Sequence, residues 1–321
     1  MQNIRLGRTD EQVSAIACGT WSHGGPKTVG KRAVGWSGHD DAMARGALIK
    51  AFEVGINHWD TADVYGDGQA ERLIGSVFGE VPRDSLFIAS KVGWDPGGHK
   101  HFYHPEMIER HCERSLASLD TDRIDLYYFH HCDFGPDDRY LDDALAVFHR
   151  LKEQGKIRFI GLSDWSSEKL LRLSARVDPD VVQPYRNVVD DAWISSGLSA
   201  WTAEHDVGAA FFSPLRHGVL LGKYDAPPQF EPGDFRSEIP EFQSAEAIAR
   251  FRDCRLAVEQ RMPGNPQPVL EALTGALLTD APQSSVLLGM RTPDHAAAAG
   301  RLGSPLEADL AAWIRSIYRA T

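Results

Sequence analysis

Four side chains set the chemistry that this sequence can attempt. Asp60 and Tyr65 lie in NHWDTADVYG, Lys91 closes FIASK, and His130 follows DLYYF. Each lies at or just past a run of apolar and β-branched residues, the pattern of a buried strand, so a parallel barrel would bring all four to one rim. A carboxylate, a phenol, an ammonium and an imidazole gathered there suit proton-assisted chemistry on a carbonyl. As charge builds on a carbonyl oxygen, it needs a proton or a positive hydrogen-bond donor aimed at it. A phenol with an ordinary pKa of about 10 is a poor acid, and a neighbouring ammonium is expected to lower that value by stabilising phenolate. Lys91 supplies the charge, Asp60 keeps Lys91 in place and protonated, and His130 orients the carbonyl oxygen or joins the proton path. Taken singly, Asp60 also reads as a loop cap, Tyr65 as a turn aromatic and His130 as a hydrogen-bonded core histidine. Lys91 resists such a reading, because an unpaired ammonium at a barrel mouth is costly.

The elements that must position these groups are legible as alternation. After an opening hairpin pattern (IRLGRT, then EQVSAIACG), eight strand-like segments are expected: Ser14 to Cys18, Ile56 to Asp60, Leu86 to Lys91, Asp125 to His130, Ile157 to Ser163, Val181 to Gln183, Gly208 to Ser213 and Ser285 to Gly289. Helical periodicity fills the gaps. Leu141, Ala144, Leu145, Phe148 and Leu151 share one face before Gly155, and Ile108, Cys112, Ser115, Leu116 and Leu119 share another after Pro105. Repeated βα units with short links predict an α/β fold, a (β/α)8 TIM barrel with a short N-terminal β-hairpin, over residues 1–321 as one domain. The first turn, GTWSHGGPKTVGKRAVG, has no GxGxxG leading into a helix, which disfavours a Rossmann fold. Two long loops, Ser22 to His39 and Tyr224 to Phe242, read as lids or binding loops.

Composition removes other classes. The chain of 321 residues is 42% hydrophobic and 25% charged, which suits a folded protein. Its net charge of −11, without a basic stripe, argues against nucleic acid as a partner. No apolar run is long enough to span a bilayer and MQNIRLGRTD is no signal peptide, so a cytoplasmic location without a membrane partner is expected. Cys18, Cys112, Cys132 and Cys254 show no metal or disulfide spacing and read as reduced, mostly buried thiols.

DTADVYGDGQAE, ASKVG, SLASLDTDRIDLYYFHH, GLSDW, QPYRN and FSPLRHGVLLGKY together resemble the aldo-keto reductase superfamily, in its bacterial and potassium-channel β subunit-like branch. The resemblance covers nearly the whole chain. It implies NADPH bound in an extended conformation, with NADH not excluded, and a catalytic tetrad of Asp60, Tyr65, Lys91 and His130 with Tyr65 as general acid in reduction. It also implies cofactor contacts from Trp21, Asp60, Ser163, Asp164 and Gln183, and from Phe212 stacking on the nicotinamide. Ser213, Pro214, Leu215, Gly218 and Lys223 would follow the pyrophosphate, Arg236 would fold over the cofactor, and Gly289, Arg291 and His295 would meet its adenosine end. Here the chain departs from the family pattern: Asp164 replaces Asn, Leu288 replaces Pro, His295 stands for Gln or Arg, and Ala298 and Ala299 replace Glu-Asn.

On the substrate side the resemblance implies Trp21, Tyr65, Trp94, His130 and His131. With Asp40, Asp41, Arg216 and His217 in nearby loops, they suggest a polar pocket for a small carbonyl compound of carbohydrate metabolism: a sugar aldehyde, a keto sugar or a hydroxyaldehyde. A homo-oligomer is compatible with the sequence. Two rival readings stand beside this one. His99, His101 and His104 with His130, His131 and Cys132 imitate the metal site of a barrel hydrolase, although no metal is expected. A cofactor-binding regulatory subunit with little turnover is the second.

Overall fold

The computed structural model describes residues 1–320. The strands in chain order are β1 (Asn3–Arg5), β2 (Gln12–Ser14), β3 (Ile16–Gly19), β4 (Thr28–Val29), β5 (Arg32–Ala33), β6 (His58–Asp60), β7 (Phe87–Val92), β8 (Ile124–Phe129), β9 (Ile157–Asp164), β10 (Val181–Pro184), β11 (Gly208–Phe211) and β12 (Ser284–Gly289). The helices are α1 (Asp41–Glu53), α2 (Gln69–Gly75), α3 (Pro105–Ser118), α4 (Leu141–Glu153), α5 (Ser167–Val177), α6 (Ala192–Ser195), α7 (Leu198–Glu204), α8 (Pro240–Gln243), α9 (Ala245–Arg261), α10 (Pro268–Asp280), α11 (Pro293–Ala299) and α12 (Ala308–Arg319).

β3 and β6 through β12 form a closed parallel barrel in chain order, and β12 returns to β3 in the register Val286 to Ile16 and Gly289 to Gly19. These are the eight expected strands, with ends displaced by at most two residues. Strands covered on both faces carry continuous apolar runs, and all six residues of β8 (IDLYYF) are buried. The helices lay their apolar stripes on this sheet. α4 buries Leu141, Ala144, Val147, Phe148 and Leu151, and the Phe148 ring stacks on Phe129 of β8 at 3.8 Å. Each such large apolar side chain contributes about 1.5–3 kcal/mol on burial. Pro105 occupies the first turn of α3, where its missing N–H costs nothing.

The hairpin β1–β2 closes the end where the strands begin: Leu6 and Val13 are fully buried, and Arg8 N–H donates to the Asp206 carbonyl just before β11 at 2.5 Å. The strand C-termini remain for the site. Over them the two long loops meet. The first folds into the small hairpin β4–β5, and Gly35 pairs with Asp234 of the second as an isolated bridge. Phe235 N–H donates to Gly35 O at 2.8 Å, and the buried Asp234 carboxylate accepts from Ser37 N–H at 2.8 Å and Ser37 Oγ at 2.6 Å.

All four cysteines are buried and unbridged, as expected. Among the described residues no helix is long and apolar enough to cross a membrane.

Candidate active site

The barrel brings Asp60 at the end of β6, Lys91 on β7 and His130 just past β8 to the rim, with Tyr65 in the turn after β6. Lys91 is almost fully buried and donates to three oxygens: Asp60 Oδ1 at 2.5 Å, Thr61 O at 2.8 Å and Tyr65 Oη at 3.4 Å. The ammonium has three protons and three acceptors, which fixes its direction. Burial pushes the Lys91 ammonium down and the Asp60 carboxyl up, and the contact between them works against both shifts. Tyr65 is held by a close approach of two turns. Gly66, at φ +59°, packs so tightly on Gly24 that a Cβ would stand 2.2 Å from Gly24 O.

One expectation is corrected by this geometry. Lys91 was to lower the Tyr65 pKa, whereas burial raises it well above 10, helped by the charges of Asp60 and Asp63. Burial is the largest cause, and the Asp60 carboxylate paired with the ammonium adds to the rise. His130 is held neutral: burial, then the Lys91 charge, depress its pKa well below 6.5. Its ring meets Tyr65 edge to face at 5.7 Å, and its Nδ1 is buried without a protein partner.

Gln183 and Ser163, at the ends of β10 and β9, join the tetrad. Gln183 Nε2 donates to Asp60 Oδ2 at 2.7 Å, and Ser163 Oγ donates to Gln183 O at 3.0 Å. Asp164 differs. Its Oδ2 accepts from Cys132 N–H at 2.7 Å and its Oδ1 from Ser166 N–H at 2.8 Å. Both carboxylate oxygens accept from backbone donors, so an aspartate suits this place, and it offers a carboxamide acceptors but no donor.

The segment after β11 is the most strained stretch of backbone near the mouth. Ser213, Arg216 and His217 adopt left-handed conformations (φ 59°, 44° and 58°), followed by Gly218 at φ 95° with open space where a Cβ would stand. Within this turn Arg216 N–H donates to Ser213 O at 3.0 Å and Gly218 N–H to Leu215 O at 2.9 Å, which holds the strained conformation. Phe212 stands edge to face with Trp165 at 5.0 Å, and Lys223 is exposed. Ser22, His23, Arg291 and His295 line a cavity of about 270 Å³ between the starts of α1 and α11, and Ser22 Oγ and His23 Nδ1 there are buried without protein partners. Burial depresses the His23 imidazole to about 4. A cavity with unpartnered buried polar groups and an arginine at its wall fits the polar end of a nucleotide cofactor. Gly289, at the end of β12, lies near this cavity, with Ser22 Oγ 3.6 Å from where its Cβ would stand.

Several side chains are committed elsewhere. Arg236 is clamped by Asp234, which it contacts through Nε at 2.9 Å and Nη2 at 2.6 Å. Arg291 Nη2 donates to the carbonyls of Ser37 (2.7 Å) and Gly38 in the first long loop. Trp21 Nε1 donates to Val34 O at 3.0 Å, so Trp21 offers the site its ring, which stacks on Tyr65 at 6.1 Å.

The polar side chains expected around the substrate pocket have partners within the protein. His131 contacts Gly93 O through Nε2 at 2.5 Å and accepts from Asp133 N–H at Nδ1, which uses both nitrogens. Asp40 caps α1 by accepting from Met43 N–H, Asp41 holds His39 and Gln69, and Arg216 pairs with Glu241. His217 sits among Trp21, Trp36, Trp165 and Phe235, and burial depresses it to about 3. What remains at the mouth is aromatic: Trp94, 52% exposed and 4.3 Å from His131, and Trp165, 47% exposed and stacked on Tyr185. The histidines and Cys132 of the rival metal reading do not form one group among the described residues. His99 and His104 gather with Glu106, apart from His130, His131 and Cys132.

The model of the Aldo/keto reductase family matches residues 15–318. The chain belongs to that family. It is 30% identical over 264 residues to Aldo-keto reductase YhdN of Bacillus subtilis (81% of this chain, 75% of the relative). It is 28% identical over 256 residues to the NADH-specific methylglyoxal reductase of Escherichia coli (76% of each). The solved glycerol dehydrogenase AKR11B4 from Gluconobacter oxydans superposes with a TM-score of 0.79 at 25% identity, over 98% of this chain and 94% of that one. This aldo/keto reductase is thus an NAD(P)H-dependent oxidoreductase acting on carbonyl and alcohol groups.

Three residues of this aldo/keto reductase near the tetrad were not singled out from sequence. Trp165 directly follows Asp164 in GLSDW, and its place past a strand end was the available signal. Asp63 and Glu71 form a second layer behind β7. Asp63 lies 2.5 Å from His111 Nδ1, and Glu71 accepts from Ser90 Oγ at 2.7 Å. Both are fully buried, and burial pushes the Glu71 carboxyl up to about 7.

Proposed function

We propose that this aldo/keto reductase reduces a small hydroxylated aldehyde or ketone with NADPH, Tyr65 donating the proton. The observation that carries the reading is the three-way bonding of Lys91 to Asp60, Thr61 O and Tyr65 Oη. Because the ammonium donates to Oη, the phenolic proton is turned away from Lys91 and toward the mouth. The phenol is protonated at neutral pH, as an acid for reduction requires, and because burial raises its pKa the phenolate must be stabilised as it forms. When it transfers, phenolate forms against Lys91, the one group positioned to stabilise it. Neutral His130 donates a hydrogen bond to the carbonyl oxygen and sets its angle to Tyr65.

When bound, a nicotinamide cofactor supplies the hydride. Gln183 and Ser163 would meet its carboxamide and Phe212 its ring face. The turn of Ser213, Pro214, Leu215 and Gly218 would lie along the pyrophosphate, with the Lys223 ammonium supplying charge. Arg291 and His295 line the cavity fitted to its adenosine end, and a fixed guanidinium suits a 2′-phosphate. Arg236, held over the mouth by Asp234, would cover it. The opposing consideration is that Arg291 already serves two loop carbonyls and that one relative is named as NADH-specific.

The substrate class follows from the walls. Trp94, Trp165 and Trp21 offer flat apolar faces, which suit the C–H faces of a short sugar or hydroxyaldehyde. Two relatives are named for small oxygenated compounds, methylglyoxal and glycerol. The test is a panel of sugars, keto sugars, small aldehydes and aromatic aldehydes, followed by consumption of NADPH and NADH side by side. Hydroxylated aldehydes with NADPH should react fastest. Preference for NADH would overturn the cofactor assignment, and tight cofactor binding without turnover of any member would support the regulatory-subunit reading instead.

A further inference from the structure

The segment between β7 and α3 holds a group of side chains that the carbonyl chemistry does not use. His99, His104 and Glu106 each present a ligand atom within 4.8 Å of the other two. The two imidazoles stack at 4.0 Å with 21° between their planes. His99 Nε2 stands 3.5 Å from Glu106 Oε2, and His104 Nδ1 is buried with no protein partner. His101, which lies between them in sequence, is spent elsewhere: Nδ1 accepts from Tyr103 N–H at 3.1 Å and the ring stacks on Tyr140 at 4.3 Å.

The backbone prepares this meeting. Asp95 Oδ1 accepts from Gly97 N–H at 2.9 Å, Gly97 and Gly98 take positive φ, and His99 N–H donates to Pro96 O at 2.8 Å, which turns His99 back toward the helix. His104 precedes α3 and its carbonyl accepts from Met107 and Ile108 N–H at 2.9 and 3.2 Å, while Glu106 lies in the first helical turn. One of the three groups is therefore fixed in the first turn of a 14-residue helix, the second immediately precedes that helix, and the third sits on a defined turn.

We propose that His99, His104 and Glu106 form a site for a divalent transition-metal ion of borderline softness, zinc being the ion that fits best, with water completing its coordination. Two imidazoles and one carboxylate favour such an ion over magnesium or calcium. Bonds of about 2.0–2.2 Å require ligand atoms about 3.3 Å apart in a tetrahedron; Glu106 Oε2 already stands 3.5 Å from His99 Nε2, whereas the two stacked imidazoles must turn out of their stack so that both in-plane lone pairs meet the ion. The ion would tie the 97–99 turn to the start of α3. That segment also sets Phe102 against His131 at 4.5 Å, beneath Trp94. Its role is thus to brace the Trp94 wall of the mouth, and it takes no part in proton transfer.

The experiment is calorimetric titration of Zn²⁺ into the full-length protein after chelator treatment. One equivalent should bind with micromolar affinity and raise the melting temperature. In a His99→Ala, His104→Ala double variant that equivalent should weaken at least about tenfold, with no zinc-dependent rise in melting temperature. Glu106→Gln, at an exposed position, keeps the fold and should weaken binding several-fold. Wild-type protein that takes up no zinc at tens of micromolar, or variants that bind it as tightly as wild type, would overturn the proposal. So would a zinc-stripped protein that has lost its carbonyl reduction, because the site would then belong to the chemistry.

Discussion

Replacing Tyr65 by phenylalanine isolates the proton donor, because the structure says how little else the hydroxyl does. Its one protein contact is the hydrogen bond from Lys91 at 3.4 Å, at the long end of the range. Losing it should cost about 0.5–1 kcal/mol of stability, a shift of a few degrees or less in a chain of this size. The ring that stacks on Trp21 and meets His130 edge to face is retained. The catalytic cost is far larger. A positioned general acid contributes about 10²–10⁴-fold, or about 3–5 kcal/mol of barrier. The assay is cofactor consumption with the best carbonyl of the panel, paired with cofactor binding followed through tryptophan quenching. kcat should fall at least a hundredfold while the dissociation constant of the cofactor moves by less than about threefold. The pH arm has a defined sign: reduction needs the protonated phenol, whose pKa lies above its ordinary value, so the wild-type rate should stay level through neutral pH and fall only in strong alkali. A Tyr65→Phe enzyme that kept more than about a tenth of kcat would refute the reasoning.

Two further substitutions test the parts around the tetrad. Glu71 has its carboxyl pushed up from 4.5 to about 7 by burial, so the folded state holds a proton that the unfolded chain releases, and stability should decline as pH rises from about 4.5 to about 7. At about 1.4 kcal/mol per pH unit the decline amounts to about 3 kcal/mol. Glu71→Gln, which can still accept from Ser90, should abolish it, and urea denaturation at pH 5 and pH 8 would show the variant's advantage growing with pH; equal differences at both would count against the argument. Asp234→Ala removes the acceptor of Ser37 and Arg236 and should unclasp the two long loops. Although burial alone would raise it, those bonds hold the Asp234 carboxyl at about 2, so the clasp should survive mild acid and be lost only as pH falls toward that value. Limited proteolysis should cut the variant within residues 224–242 several times faster than wild type, and the KM for the cofactor should rise more than kcat falls. Unchanged proteolysis would show that the clasp is not held by Asp234.

The barrel was legible because two periodicities alternate cleanly along the chain. Runs such as LFIASK and DLYYF are too short for helices and too apolar for loops, while the stripe ending at Leu151 before Gly155 has only one regular solution. The tetrad was legible for a related reason: polar groups closing apolar runs have few places to go in a barrel except its rim. What sequence did not reveal is how donors and acceptors are spent. His131 reads as a polar wall residue, yet Gly93 O and Asp133 N–H consume both nitrogens. Asp164 reads as a poor amide partner, yet it answers two backbone N–H groups that no pattern announces. The Tyr65 pKa went the other way from expectation because it depends on Asp63 and on burial, neither of which is visible from the spacing of Tyr65 and Lys91. Long loops were recognised as long, but their clasp joins residues separated by 197 positions, Ser37 and Asp234, and is a tertiary fact alone.

That separation has a consequence for how the molecule comes into being. Asp60, Tyr65, Lys91 and His130 all leave the ribosome within the first 130 residues, whereas Asp234 and the strained loop after β11 belong to the last third of the chain. β3 waits still longer for its neighbour β12, the partner that seals the cylinder. A nascent chain therefore displays its acid and base groups in a half-open sheet long before it can shield them, and contacts of such long range are slow to form. The clasp over the mouth is among the last parts of this protein to arrive, so a chain cut short before residue 234 would carry the reactive set with its first long loop unfastened.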